Sequence, residues 1–155
     1  MIFIAAIAVD QITKFIIIER HELVNLKMNP IKLIPDVFEI TYHTNTGMGW
    51  GMFQGSNTLL FCCVTIILLG MIFMLIKLKP KSVIVMTSSA LVIGGAVGNL
   101  IDRVNLGYVV DFLHLSLINF PIFNIADSCV SVGAVIFAVY IFITERKNAD
   151  QPESA

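Results

Sequence analysis

The sequence predicts a mainly α membrane protein, four transmembrane helices with a small extracytoplasmic antiparallel β-sheet, and three observations carry that prediction. Hydrophobic residues make up 57% of the 155 residues and charged residues only 14%, where soluble domains carry roughly 25% charged; with a mean hydropathy of +0.86, lipid is the main solvent. Apolar segments approaching the length that spans a bilayer, about 20 helical residues, recur four times. Between the first two lies a stretch whose side chains alternate with the period of a strand. The net charge of −1 gives no reason to expect nucleic acid or another polyanion as a partner.

The first helix is expected over Ile2–Ile18; it is the shortest of the four at 17 residues and holds Asp10 and Lys14. Ala6-Ile7-Ala8 imitates the cleavage site of a secretory signal peptide. No basic segment precedes it, the apolar run before it is short and the helical pattern continues past it, so the segment is expected to be retained. From Val37 to His43 the chain sets Phe38, Ile40 and Tyr42 against Glu39, Thr41 and His43, the mark of a half-buried strand. Val24-Asn25-Leu26 and Ile31-Lys32-Leu33 are expected as shorter partner strands, and Val109–Leu115 as a further extended segment. Trp50, Met52 and Phe53 are expected to anchor the chain at the membrane surface. The second helix is expected over Leu59–Ile76 behind an Asn57-Thr58 cap, the third over Val83–Arg103 and the fourth over Asp127–Thr144.

Orientation follows from basic residues in short loops. Lys77, Lys79 and Lys81 crowd the connection between helices two and three, and Arg146 and Lys147 follow helix four. Both termini and the lysine hairpin are therefore expected in the cytoplasm, with residues 19–56 and 104–126 outside. The whole makes one integral membrane domain over 1–147, followed by a polar, disordered tail over 148–155. Cys62, Cys63 and Cys129 lie in apolar runs and are expected as small buried packing residues. His21, His43 and His114 lack zinc-site spacing, so neither a metal nor a cofactor is expected.

Charge inside a membrane costs several kcal/mol unless it is paired or wet, so the polar residues of the apolar segments are the informative ones. Asp10 and Lys14 stand four apart, acid first, on one helix face, which suits a self-neutralising structural pair. The run from Gly94 to Arg103 closes helix three, where Ala90, Gly94 and Gly98 form a small-residue stripe for close packing. Gly95, Asn99 and Arg103 form a second stripe. Asn45-Thr46-Gly47-Met48-Gly49-Trp50-Gly51 carries three glycines in five residues, a loop that turns tightly or approaches something closely. Asp111 sits between apolar strand residues, and Asp127 opens helix four, where an Asp can serve as a cap. Taken singly, each has a structural explanation. Together they fall at the same membrane surface, on segments flanking one short connection. Two carboxyls that share a site resist joint ionisation, so one supplies a base and the other an acid. Hydrolysis by an activated water requires both. Arg103 is expected to hold the ionised form, and Asn99 and Asn124 to donate hydrogen bonds to the pair or to a substrate.

These motifs resemble those of a known family, the lipoprotein signal peptidases, also called prolipoprotein signal peptidases or signal peptidase II. Asp10-Gln11-Ile12-Thr13-Lys14 is similar to its first motif, Asn45-Thr46-Gly47 to its second and Gly94–Arg103 to its third. Val109-Val110-Asp111-Phe112 and Phe123-Asn124-Ile125-Ala126-Asp127 are similar to its fourth and fifth. The resemblance implies an aspartic endopeptidase of the bacterial cytoplasmic membrane with Asp111 and Asp127 as its catalytic dyad. It implies a prolipoprotein substrate with a diacylglyceryl-cysteine, cut just before that cysteine. It further implies substrate-site roles for Asn45, Gly95, Asn99, Arg103 and Asn124, a supporting role for Asp10 and Lys14, and inhibition by cyclic depsipeptides of the globomycin kind. The chain is expected as a monomer among membrane lipids. Met48 and Gly49 stand where the family usually has two alanines, and Thr44 where an arginine is common, which bears on loop flexibility and substrate preference.

Two other classes compete. A non-enzymatic assembly or transporter subunit would use the polar stripe for packing alone. Other intramembrane proteases need signatures that are missing: there is no GxSxG, no HExxH and no Gly-x-Gly-Asp in the sequence.

Overall fold

A computed structural model describes residues 1–47, 53–118 and 120–149. The chain runs α1 (Ile2–Val24), β1 (Ile31–Ile34), β2 (Phe38–Asn45), α2 (Asn57–Leu78), α3 (Val83–Asn105), β3 (Val109–His114), a 3-10 turn (Ser116–Ile118) and α4 (Ile125–Ala149). Three helices, α2, α3 and the Ile125–Lys147 part of α4, are long and apolar enough to cross a membrane. α1 has the length, but its charges keep it below the same standard.

α3 is the centre of the bundle and packs on all three other helices. Its glycines make this possible. A Cβ at Gly94 would stand 2.9 Å from Ala6 Cβ, and one at Gly98 would stand 2.6 Å from Asp10 Oδ2, both on α1. A Cβ at Gly95 would run into the Ala126 carbonyl of α4. Small side chains of this kind let backbones close up where lipid supplies no hydrophobic drive. Outward, the helices show large apolar side chains, such as Ile12, Phe15, Ile66 and Phe142. Cys62 and Cys63 are among the exposed residues, contrary to their expected packing role, because α2 touches α3 and no other helix among the described residues.

The sheet is antiparallel in the order β1-β2-β3. β2 pairs His43 with Asp111, Thr44 with Val110 and Asn45 with Val109, and a bridge from Leu113 to Phe123 closes the far edge of β3. Ile17, Leu26, Val110 and Phe112 form a buried cluster that seats the sheet on the end of α1, where His21 also stacks on Tyr42 at 3.9 Å.

Several expected boundaries move. Val24-Asn25-Leu26 is no strand: Val24 ends α1, Asn25 takes the left-handed conformation (φ 49) with its N–H on the His21 carbonyl, and Leu26 turns fully into the core. Asn is among the few residues that tolerate this conformation, so it stops a helix here. The N-cap of α2 is Ser56, with no side-chain cap bond; Asn57 instead donates to the Arg103 carbonyl at 3.4 Å. α4 begins at Ile125 and continues to Ala149, so residues 148 and 149 are helical where a disordered tail was expected. Met48, Gly49, Trp50 and Met52 lie outside the described residues, as do residues 150–155.

Candidate active site

Asp111 stands mid-strand on β3, only 1% exposed, in a run of β-branched and aromatic neighbours suited to a strand. Asp127 is the third residue of α4. Asn124 is that helix's N-cap: its Oδ1 accepts the Asp127 backbone N–H at 2.9 Å, and Asp127 Oδ2 accepts the Asn124 N–H at 3.2 Å. This reciprocal pair is a capping box, and it ties the Asp127 carboxylate to the helix start. Asp127 is thus not the first helical residue, and Asn124 carries the capping function expected of it.

Both aspartates line one cavity of about 670 Å³. Every oxygen of the two carboxyls has a donor. Asn124 Nδ2 reaches Asp111 Oδ1 at 2.7 Å, and Asn45 Nδ2 reaches Asp111 Oδ2 at 2.8 Å. Asn99 Nδ2 reaches Asp127 Oδ1 at 2.8 Å, with the Asn124 backbone on the other oxygen. Burial first, and then the charge of Asp127, push the Asp111 carboxyl up to about 7, against the donors Asn45 and Asn124 and the charge of Lys14. A carboxyl poised there exchanges a proton near neutral pH.

Asn45, Asn99, Arg103, Asp111 and Asp127 all line the cavity, while Gly95 and Asn124 do not. Gly95 lets α3 approach α4, and Asn124 holds both aspartates from behind. Arg103 differs from expectation. It forms no ion pair with either aspartate among the described residues; its Nη1 donates to the Asn99 carbonyl at 3.3 Å and its Nη2 to the Gly47 carbonyl at 3.2 Å. The guanidinium fork therefore joins α3 to the loop after β2. The opposite wall is apolar, with Leu60, Val64, Leu68 and Met71 of α2.

Asp10 and Lys14 are paired as expected, at 2.9 Å, but they are not self-contained. Lys14 also pairs with Asp102 at 2.9 Å and donates to Asn99 Oδ1 at 3.0 Å. Gln11 Nε2 adds bonds to Asp10, the Gly98 carbonyl and Asp102. Sequence reasoning did not single out Asp102 or Gln11. The cost of intramembrane charge, which flagged Asp10, marks Asp102 by the same rule.

The chain is similar over most of its length to known proteins. The family model described as signal peptidase (SPase) II matches residues 2–143. A lipoprotein signal peptidase of Brevibacillus brevis is 39% identical over 142 residues, covering 92% of this chain and 93% of that protein. One from Clostridium acetobutylicum is 36% identical over 150 residues, covering 95% of each. A bacterial membrane enzyme structure determined by the in meso method at 2.3 Å resolution superposes with a TM-score of 0.84 at 32% identity, covering 99% of this chain and 91% of that one. A matching family model over most of the length, relatives above 30% identity and a shared membrane-enzyme fold lead to one conclusion: the chain belongs to the signal peptidase II family, a family of aspartic proteases.

Proposed function

We propose that Asp111 and Asp127 are the catalytic pair with which this enzyme removes the signal peptide from diacylglyceryl-modified prolipoproteins, cutting just before the lipidated cysteine. The observation that carries this is the common cavity: two carboxyls face one space, each oxygen held by an amide or backbone donor. One carboxylate takes a proton from water as it attacks the scissile carbonyl. The other, protonated, supports the developing tetrahedral oxygen and then protonates the leaving amine. No covalent intermediate is needed. The apolar wall on α2 suits the acyl chains of the modified cysteine, and Asn45, Asn99, Arg103 and Asn124 keep the polar end in order.

The same reading makes α1 a fourth transmembrane helix. Its 23 residues reach roughly 35 Å at 1.5 Å per residue. Its buried positions Ala6, Asp10, Lys14 and Ile17 form one stripe, while Ile4, Val9, Ile12, Phe15 and Ile16 are exposed as a lipid-facing side. With the lysine hairpin in the cytoplasm, both termini are cytoplasmic and the dyad lies near the outer surface of the bacterial cytoplasmic membrane. The enzyme works as a monomer among membrane lipids, as one domain that runs to the end of α4 at Ala149, and binds globomycin-type inhibitors. The test is turnover of a diacylglyceryl-modified prolipoprotein by native enzyme and by Asp111→Asn and Asp127→Asn in nanodiscs. Loss of cleavage in both, with the protein folded, supports the pair; activity within a few-fold of native in either variant removes that residue from it.

A further inference from the structure

Asp102 is 3% exposed on α3 and lies outside the cavity that holds the dyad. Its Oδ2 accepts the Val110 backbone N–H at 3.0 Å and pairs with Lys14 Nζ at 2.9 Å; its Oδ1 accepts from Gln11 Nε2 at 3.0 Å. On the other side of Lys14 stands Asp10, fully buried. Its Oδ2 pairs with Lys14 at 2.9 Å, and its Oδ1 accepts the Ala126 backbone N–H at 2.9 Å. Val110 immediately precedes Asp111, and Ala126 immediately precedes Asp127. Two buried carboxylates with one lysine between them thus each grip the backbone one residue before a dyad aspartate.

We infer that Asp102 is a positioning residue which, with Asp10 as its counterpart and Lys14 as the link, fixes how far apart Asp111 and Asp127 stand. The inference rests on the dyad proposed above. Neutralising Lys14 does not account for Asp102. Asp10 already answers Lys14, so Asp102 brings a second negative charge where uncompensated charge is costly. What it adds is an acceptor at a fixed place. Val110 has its N–H on Asp102 and its carbonyl under Asn124 Nδ2 at 3.2 Å, so side chains of α3 and of the α4 cap locate this part of β3. Lys14 has a second effect: it only donates, so it turns the oxygen of Asn99 toward itself and the amide nitrogen toward Asp127.

The test compares three variants of the full chain in nanodiscs, with diacylglyceryl-modified prolipoprotein as substrate. Asp102→Asn keeps an acceptor in place without the charge, and its kcat is expected within about 5-fold of native. Asp102→Glu keeps the charge but carries the acceptor one methylene farther. A displacement of about 1 Å costs on the order of 100-fold, so kcat falls by about that factor with KM little changed. Asp102→Ala loses the acceptor and falls as far; if it does not fold, the Asn and Glu variants decide alone. A Glu variant with native kcat, or an Asn variant as impaired as the Glu, overturns the inference, because charge would then matter and place would not. So does a loss of activity that merely follows a falling thermal midpoint, with kcat per folded molecule unchanged. Asp111→Asn and Asp127→Asn are run alongside. If they are inactive while Asp102→Glu is fully active, only the positioning role fails; if they stay active, the dyad itself fails.

Discussion

An Asp111→Asn substitution exchanges one oxygen for an amide nitrogen at nearly constant volume, and its effect on stability has a sign that depends on pH. Burial and the charge of Asp127 move the Asp111 carboxyl from its ordinary 3.8 to about 7. A carboxyl whose folded pKa lies above its unfolded one carries no penalty below the unfolded value. The penalty grows as pH rises and is complete above the folded value. At 1.36 kcal/mol per pH unit it amounts to about 4 kcal/mol, on a residue 1% exposed and so barely screened by solvent. Of this, roughly 2.5 kcal/mol develops between pH 5 and pH 8. Asn escapes the penalty but loses one acceptor, because Asn45 and Asn124 both donate to Asp111 and only one oxygen remains; that costs about 1–3 kcal/mol. The variant should therefore be no more stable than native at pH 5 and gain roughly 2.5 kcal/mol on it by pH 8, about 5–10 °C in thermal midpoint for a chain of this length. The assay is thermal unfolding in one detergent at both pH values. A difference between variant and native that does not change with pH refutes the placing of a proton-holding carboxyl at Asp111.

Arg103→Lys should lower kcat/KM by about 10-fold with little change in thermal midpoint, because an ammonium cannot span the Asn99 and Gly47 carbonyls as the fork does; native turnover would reduce Arg103 to a surface anchor. Gly95→Ala sets a methyl against the Ala126 carbonyl and 2.9 Å from Val130 Cγ2, and should cost about 1–3 kcal/mol together with most of the turnover, read by unfolding and cleavage on the same sample. A cysteine at position 79, in a background without Cys62, Cys63 and Cys129, should resist an impermeant thiol reagent in intact cells; labelling from outside would reverse the orientation and move the site to the other face.

Local signals were legible in the sequence. The apolar runs placed the helices, the alternation from Phe38 to Tyr42 placed β2, and intramembrane polarity pointed to Asn99, Arg103, Asp111 and Asp127, which share one cavity. Long-range pairings left no such trace. Nothing periodic says that Thr44 lies opposite Val110, or that Asp10 bonds a backbone N–H 116 residues away. β1 shows why weak strands mislead: all four of its residues are exposed, so no alternation separates it from Val24-Asn25-Leu26, whose Asn ends a helix. Arg103 was expected at the carboxylates from its charge and its place on one stripe with Gly95 and Asn99, whereas its donors meet carbonyls that any sequence possesses. Asp102 falls under the same cost of intramembrane charge that flagged Asp10, but its partners Gln11 and Lys14 lie on another helix far away in the sequence.

α2 holds to the other helices through α3 alone among the described residues, and only Leu60 and Leu68 along it are buried. In water a helix is pinned by what it covers. In a bilayer the neighbouring tails are as apolar as the leucines they would replace, so drawing α2 aside costs little beyond lost packing. The charged lattice among α1, α3 and α4 is a template of fixed dimensions, whereas α2 is a boundary whose place depends on what stands beside it. A substrate that carries acyl chains brings its own filler for any gap it opens. If Asp111 and Asp127 are the dyad proposed above, chains of different length or branching would be admitted without disturbing the carboxyls, and fidelity at the scissile bond would rest on β3 and α4 while tolerance toward the lipid rests on α2.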